Sequence, residues 1–465
     1  MNIDATIAAN RLAPRTRNRL GPNSLSSRPA PASAKGVPKI PLLAWLLLGS
    51  ALSPVYQQAQ TESNLPAPVQ LLMETNRSIA ADLEAREAAL SRVKSRGTLP
   101  DPKIDATLFL SPIETRNGPI EAQLMLGQAI PLWGKLRRDR DLARESADIA
   151  GWRLRQKRVQ ATYQMWKAWE TFTVSRNSLA ILRAYRQELE SFRAISLTQY
   201  STGGGVTQHP VLKLQIEISL IESRINGFKG QMASAESDLQ ALFDGEFSAD
   251  AFTGLRAPLP PLLPAETWLE RARGVNPAYR IALGQQRIAV LQAELAVRKN
   301  YPDILAGITY SAVGEAGAAS APSLGADVLG AKIGLNIPLW LGRNKARVQS
   351  SRAMVRSRDE NIADVWNRVT ADIESARAEL AEIGATVVLY EGQLVWESEQ
   401  MLASAFAAYE TGKISFLDLL DSERMVVRVR LEFDAVSARH HIMAAKLLKN
   451  IGALHWAEES TDVDQ

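Results

Sequence analysis

Two aspartates three residues apart, Asp418 and Asp421, are the side chains of this 465-residue chain best placed to do chemistry. They follow the Gly412 turn at what reads as a helix start, and a spacing of three puts them on neighbouring positions of one helix face. Carboxylates held together in a constriction repel, raise one another's pKa and attract cations. The ordinary use of an aspartate near a helix start is blander: it caps the helix or sits solvated. The four histidines, His209, His440, His441 and His455, make a poor metal site. His440 and His441 are adjacent, so they point about 100° apart on a helix and do not share one ion easily. His440 also falls in an apolar seam, where it reads as a hydrogen-bonded core residue. Trp166 and Trp169, three apart, read as seam packing. Gly203-Gly204-Gly205 has no strand before it and no Lys-Ser/Thr after it, so it is not a phosphate loop. With no HExxH, no GxSxG and no carboxylate pair in a cleft-like pattern, the sequence predicts a protein that is not an enzyme. It predicts no cofactor and no resident metal.

The elements that would position these residues come in two copies. Glu74-Thr75-Asn76 is matched by Gly274-Val275-Asn276-Pro277, Pro100-Asp101 by Pro302-Asp303, Ile130-Pro131-Leu132-Trp133 by Ile337-Pro338-Leu339-Trp340, and Tyr200-Ser201-Thr202-Gly203 by Tyr409-Glu410-Thr411-Gly412. The matches keep their order at offsets of 200 to 209, the signature of a long internal repeat. Residues 65–255 form the first half and 265–455 the second. A Pro-rich link, 256–264, lies between them, and 456–465 form a tail. Each half reads as helix, two strands, long helix, turn, long helix. In the first half, Val69 to Lys94 is helix-like behind Pro68. Asp105 to Ser111 and Glu121 to Leu132 alternate around Arg116-Asn117-Gly118-Pro119.

In the second half, Asp303 to Ser311 and Gly325 to Leu339 alternate in the same way, around a Gly/Ala/Ser loop. Leu329, Ala331, Ile333, Leu335 and Ile337 fall on one face, with Gly330, Lys332, Gly334 and Asn336 on the other. Ala122, Leu124, Leu126, Ile130 and Leu132 make a similar row, broken by Gln128. Strands with one apolar and one small or polar face suit a soluble sandwich, hairpins packed on helices, or a membrane barrel with lipid outside and water inside. A small barrel needs about eight strands, so four per chain imply several chains sharing one. The helices are long: Lys135 to Thr198 carries no proline. At 1.5 Å per residue that stretch reaches roughly 95 Å, the length of a stalk or tunnel wall. Val211, Leu214, Ile218, Ile221 and Ile225 recur at 3, 4, 3, 4 spacing, as do Val426, Val429, Phe433, Val436, His440, Met443 and Leu447. That is the seam of paired helices.

Composition narrows the partners. Lys plus Arg number 54 against 50 Asp plus Glu, but seven basic residues and one acidic residue lie in the first 39 positions. The remainder is therefore near −2, and a basic nucleic-acid surface is disfavoured. Ile40 to Leu52 is an apolar run of 13 residues behind Lys35 and Lys39, the layout of a secretory signal. Residues 1–51 read as that leader, with Gly49 and Ala51, or Ala59, as small residues for cleavage. No apolar run reaches the roughly 18 residues of a membrane-spanning helix. The chain has no cysteine, which removes disulfides, thiolate chemistry and an acyl-cysteine anchor.

A secreted leader, duplicated helix–hairpin–helix–turn–helix units and alternating hairpins together resemble the outer-membrane factor (TolC-like) family, over about residues 65 to 455. The residues that carry the resemblance are Asn276-Pro277, the passages Ile130-Pro131-Leu132-Trp133-Gly134-Lys135 and Ile337-Pro338-Leu339-Trp340, and the tip Tyr409-Glu410-Thr411-Gly412 followed by Leu417-Asp418-Leu419-Leu420-Asp421-Ser422. The Pro-Leu-Trp-Gly-Lys-Leu passage resembles the heavy-metal efflux branch.

This resemblance implies a mainly α fold with a small β part. Duplicated long-helix hairpins would form a periplasmic α-barrel, and two β-hairpins per chain would give four strands to a trimeric outer-membrane β-barrel. It implies an exit duct in the outer membrane of a Gram-negative-type cell, in contact with outer-membrane lipid. Its partners would be two further copies of itself, a periplasmic adaptor and a proton-driven inner-membrane pump. It implies that Asp418 and Asp421 line the periplasmic entrance, six carboxylates in a trimer, with Tyr409 tethering the closed state. The family's basic tether, an arginine, is replaced here by Ile414, with Lys413 one residue earlier, so the closed-state lock is either lost or rebuilt with Lys413. Two other readings stay open: a periplasmic adaptor or coiled-coil scaffold, and the duct of type I protein secretion.

Overall fold

The computed structural model describes residues 67–201, 208–261, 263–315 and 326–453. The predicted leader, the Gly203-Gly204-Gly205 run, His455 and the tail 456–465 lie outside the described residues. The first half runs α1 (Ala67–Thr75), α2 (Arg77–Ser95), β1 (Lys103–Thr115), β2 (Gly118–Ile130), α3 (Lys135–Ser201) and α4 (Gln208–Leu242), then a 3₁₀ turn at Ala249–Phe252. The second runs α5 (Ala265–Val275), α6 (Pro277–Arg298), β3 (Asp303–Val313), β4 (Val328–Asn336), α7 (Leu341–Leu389), a π turn (Tyr390–Leu394), α8 (Val395–Glu410) and α9 (Phe416–Ile451). None of the described helices is long and apolar enough to cross a membrane.

Each half opens on a helix broken by an asparagine. The helix-like composition from Val69 to Lys94 is not continuous, because Asn76 turns its side chain back to accept from the Ser78 and Ile79 amides at 3.1 and 3.0 Å. That caps α2 and ends α1. Asn276 does the same for α6, accepting from the Tyr279 amide at 2.9 Å with Pro277 at the first helical position. The side-chain amide of Asn76 donates to the Leu242 carbonyl at the end of α4, and that of Asn276 to the Asn450 carbonyl near the end of α9. Each asparagine thus ties the first helices of its half to the last.

The four strands form one antiparallel sheet in the order β1-β2-β3-β4. Its register stacks Ile104, Leu126, Ile308 and Ala331 across neighbouring strands, and Leu124, Tyr310 and Leu329 beside them. This face is exposed: Leu108, Leu110, Leu329 and Ile333 have relative exposures of 79, 103, 75 and 80 %. The opposite face is mostly small or polar, with Gly127 opposite Gly307 and Gly307 opposite Lys332, while Met125 and Leu305 are its large apolar members. β1 and β2 extend further towards their turn than the alternation suggests. Pro112 sits inside β1 where the pairing register shifts between Leu108 and Ile113, an irregularity of the kind that accommodates proline in a strand.

α3 has 67 residues, about 100 Å at the α-helical rise. It packs along α4 and also touches α2, α6 and α9, while α7 packs on α6 and α9. Leu214, Ile218, Ile221 and Ile225 of the α4 seam are buried against Leu179, Leu182, Tyr185 and Leu189 of α3, with Leu420 of α9 closing the cluster. A second cluster gathers Trp268, Ile373, Leu380, Met443 and Leu447 from α5, α7 and α9. A third places Trp166, Trp169 and Phe172 of α3 against Leu239, Phe243 and Phe252. The segment after the 3₁₀ turn is held on α3 by polar contacts. Trp169 Nε1 donates to the Leu255 carbonyl, and the fully buried Glu170 takes a 2.6 Å salt bridge from Arg256 and the Ala257 amide at 3.2 Å.

Candidate functional site

The turn between α8 and α9 is made by Gly412, whose φ of 70° suits a residue without Cβ. Ser415 then starts α9 with a capping box: the Asp418 amide donates to Ser415 Oγ, and the Asp418 carboxylate accepts from the Ser415 amide at 3.0 Å. The Ser415 hydroxyl donates to the same carboxylate at 2.7 Å. These bonds hold the Asp418 carboxyl below the usual aspartate range, the side-chain bond first and the backbone bond second. Asp418 is exposed, and so is Asp421. Asp421 accepts from Arg424 at 3.0 Å and lies 3.8 Å from Lys213 Nζ on α4.

Arg424 is the hub of this end. Besides Asp421 it reaches across to α4, where Glu217 accepts from both its Nε and Nη2, at 3.1 and 2.7 Å. Such a fork is the strong form of an ion pair, and the Glu217 side chain is only 11 % exposed. Tyr185 of α3 lies in this neighbourhood, its hydroxyl pKa pushed up first by burial and then by the Glu217 charge. Immediately before Arg424, burial and the nearby Glu188 push the Glu423 carboxyl up to about 7. The sequence reading missed Arg424, Glu217 and Lys213. Arg424 had a local signal, an acid three residues before it. Glu217 is 207 positions away, close to the repeat offset, so each partner sits at nearly the same place in its own half.

Of the four sequence-predicted entrance residues, Tyr409 lays its ring against Phe416 at 6.1 Å, and Phe416 against Phe192 of α3 at 5.3 Å. Lys413 is exposed. Among the described residues neither the Tyr409 hydroxyl nor the Lys413 ammonium has a side-chain partner. Asp418 and Asp421 share the start of α9, but only Asp421 is tied to another helix. His440 is half-buried, its pKa lowered by burial and by the neighbouring His441. His441 Nδ1 lies 2.8 Å from the Ala257 carbonyl. No metal-holding cluster of His, Asp or Glu occurs among the described residues.

The other end of the helices meets the sheet. Trp133 and Gly134, with φ of 62° and 70°, turn the chain from β2 into α3. The buried Lys135 then donates to Asp303 at 2.7 Å and to the Tyr301 carbonyl at 2.8 Å, and the Leu132 amide donates to the same aspartate. Trp133 packs its ring at a tilt against Tyr301, centroids 5.4 Å apart, and donates to the Pro302 carbonyl. This passage locks the first hairpin to the start of the third strand.

A single sheet with one exposed apolar face thus continues into paired helices, the longest about 100 Å. The chain superposes on a crystal structure of a membrane protein from Pseudomonas aeruginosa with a TM-score of 0.71 and 17 % identity, over 87 % of this chain and 93 % of that one. It superposes on the Campylobacter jejuni CmeC outer membrane channel with a TM-score of 0.68 and 13 % identity, over 83 % and 85 % of the two chains. The chain therefore shares the fold of outer-membrane channels of the TolC-like kind. Among curated proteins it is similar to the cobalt-zinc-cadmium resistance protein CzcC of Cupriavidus metallidurans, 22 % identical over 87 % of this chain and 94 % of that protein. No protein-family model matches it.

Proposed function

We propose that this chain is the outer-membrane exit duct of a tripartite efflux system, passively conducting its substrate out of the cell. The observation that carries the reading is the sheet, with open edges at β1 and β4 and an apolar face exposed along its length. Four strands do not close a barrel, whereas three copies supply twelve. The apolar face then meets lipid, the glycine-rich face lines water, and the helices continue as a periplasmic tunnel. The leader over residues 1–51 delivers the chain, and the halves 65–255 and 265–455 each contribute one hairpin and one long helix pair. A periplasmic adaptor and an inner-membrane pump, proton-driven, complete the assembly. Similarity to a cobalt-zinc-cadmium resistance protein supports divalent metal ions as the cargo.

We place the periplasmic entrance at the α8–α9 turn, with Asp418, Asp421, Tyr409 and Lys413 around it. The Arg424–Glu217 fork supports this by tying α9 to α4 beside that turn. The test is conductance in planar bilayers, comparing the purified protein with the Asp418→Asn plus Asp421→Asn variant. The expected result is a cation-selective channel blocked by multivalent cations, with selectivity reduced in the variant. Conductance with unchanged selectivity would remove the aspartates from the entrance. No conductance, with a monomeric mass in detergent, would overturn the duct.

A further inference from the structure

At the sheet-to-helix boundary of the second half lies a cavity of about 540 Å³, formed between the start of α3, the end of α6 and the start of α7. Its charges do not balance. The two carboxylates on its wall are already engaged, Asp303 with Lys135 at 2.7 Å and Asp139 with Arg96 at 3.5 Å. Three cations remain on the wall, Lys299, Arg343 and Arg347. Among the described residues none of the three has a carboxylate partner. Arg347 is held instead by neutral amide oxygens, Asn300 Oδ1 at 2.7 Å and Asn344 Oδ1 at 3.1 Å. Its Nε is buried without a hydrogen bond. That arrangement aims a guanidinium without neutralising it. Arg343 and Arg347 also stand in the first two turns of α7, where the helix dipole disfavours cations, so the helix does not account for them.

The rim of this cavity is apolar. Ile337 and Trp340 line it, and with Leu339 and Leu341 they are exposed by 57, 70, 74 and 77 %. These residues continue the row of Ile333 and Leu335 on the exposed face of β4. A tryptophan at the edge of an apolar band, with cations one turn further out, is the pattern of a lipid–water boundary. On the reading that the exposed face of the sheet meets lipid, we propose that this cavity binds the phosphodiester headgroup of a membrane phospholipid. Lys299, Arg343 and Arg347 take the phosphate, and the acyl chains lie on the Ile337–Leu341 segment. A guanidinium presents several donors in a plane to a phosphate, which suits Arg347 to the central contact.

The test is native mass spectrometry of the detergent-purified protein with dioleoyl phosphatidylglycerol, dioleoylglycerol or inorganic phosphate. Because Arg347 also braces Asn300 and Asn344, the first variant is Lys299→Gln plus Arg343→Gln, both exposed, and the second adds Arg347→Gln. The expected result is retention of phosphatidylglycerol but not of dioleoylglycerol by the wild type. Affinity should fall about tenfold in the double variant and further in the triple. Equal retention of phosphatidylglycerol by wild type and double variant would overturn the proposal, and so would equal retention of dioleoylglycerol. Binding of inorganic phosphate without retention of the lipid would replace the lipid by a free anion and overturn it as stated. Conductance of the same preparations separates this from the duct: channels with unchanged lipid retention sink the site alone. Lipid retention lost in the variants of a protein that never conducts sinks the duct alone.

Discussion

Asn276 shows how much one polar side chain carries in a fold built from long helices. It caps α6 through its side-chain oxygen and satisfies the Asn450 carbonyl through its side-chain nitrogen, while 5 % exposed. Asn276→Ala therefore removes a cap and leaves a carbonyl without its donor, a loss of about 2 kcal/mol. A lowered urea midpoint with an unchanged slope would show it; Asn276→Ser, which keeps a capping oxygen and loses the donor, should fall between wild type and Asn276→Ala. Glu423 makes the opposite case. Its pKa is raised in the folded protein to about 7, chiefly by burial and then by Glu188, above the ordinary glutamate value. Between those two values the folded state holds a proton that the unfolded state has released, so stability falls as pH rises through that window and levels off above about 7. Glu423→Gln should flatten that part of the thermal-stability profile and raise the melting temperature at pH 8. An unchanged profile would show that the carboxylate is solvated.

The elements differ most where the two halves should match. α3 runs unbroken for 67 residues, but its counterpart is interrupted after Leu389 by the π turn Tyr390–Leu394. The repeat predicts one long helix there, and a π turn, which absorbs a single extra residue, leaves the faces on either side in phase. The break is pinned from both sides, by Tyr390 donating to Glu432 at 2.6 Å and Arg430 to Glu399 at 2.8 Å on α9. Gly392 within the turn is exposed, and a Cβ there would touch nothing. Deleting Gly392 should convert the turn to regular helix while both anchors keep their partners. Amide exchange over 390–396 would then slow by about tenfold, with the rest of the chain unchanged. The seam was legible because burial in paired helices repeats every 3.5 residues, and Leu214, Ile218, Ile221 and Ile225 are buried as that spacing requires. The Arg424–Glu217 fork was not legible, since its partners are far apart in sequence and charge on a helix face has many ordinary uses. Asp418 also fills the capping role expected of an aspartate near a helix start. Its type and spacing fitted a cap and an entrance alike, and the bond from Ser415 is what geometry adds.

At the scale of the whole molecule the question is what covers the sheet. The two faces were readable from alternation alone, since in a strand every second residue shares a side; the register then stacks those rows across four strands. What alternation leaves open is whether an apolar face meets a second sheet, helices or lipid. In the described structure neither a second sheet nor a helix lies on it, as the exposures of Leu329 and Ile333 show. Neighbouring positions on β4 therefore make a sharp comparison. Ile333→Lys puts a charge on the apolar face, and in a lipid-facing strand that costs about 2–4 kcal/mol near the middle of the membrane. Lys332→Ala, one residue away, removes a charge from the opposite face, where it would line water. The first should sharply reduce the heat-stable oligomer recovered from outer-membrane fractions. The second should leave that oligomer intact and shift ion selectivity towards cations, because it removes a positive charge from the lumen. If both variants assemble and conduct like the wild type, the apolar face does not meet lipid. If Lys332→Ala is the one that abolishes assembly, the two faces of the barrel are reversed.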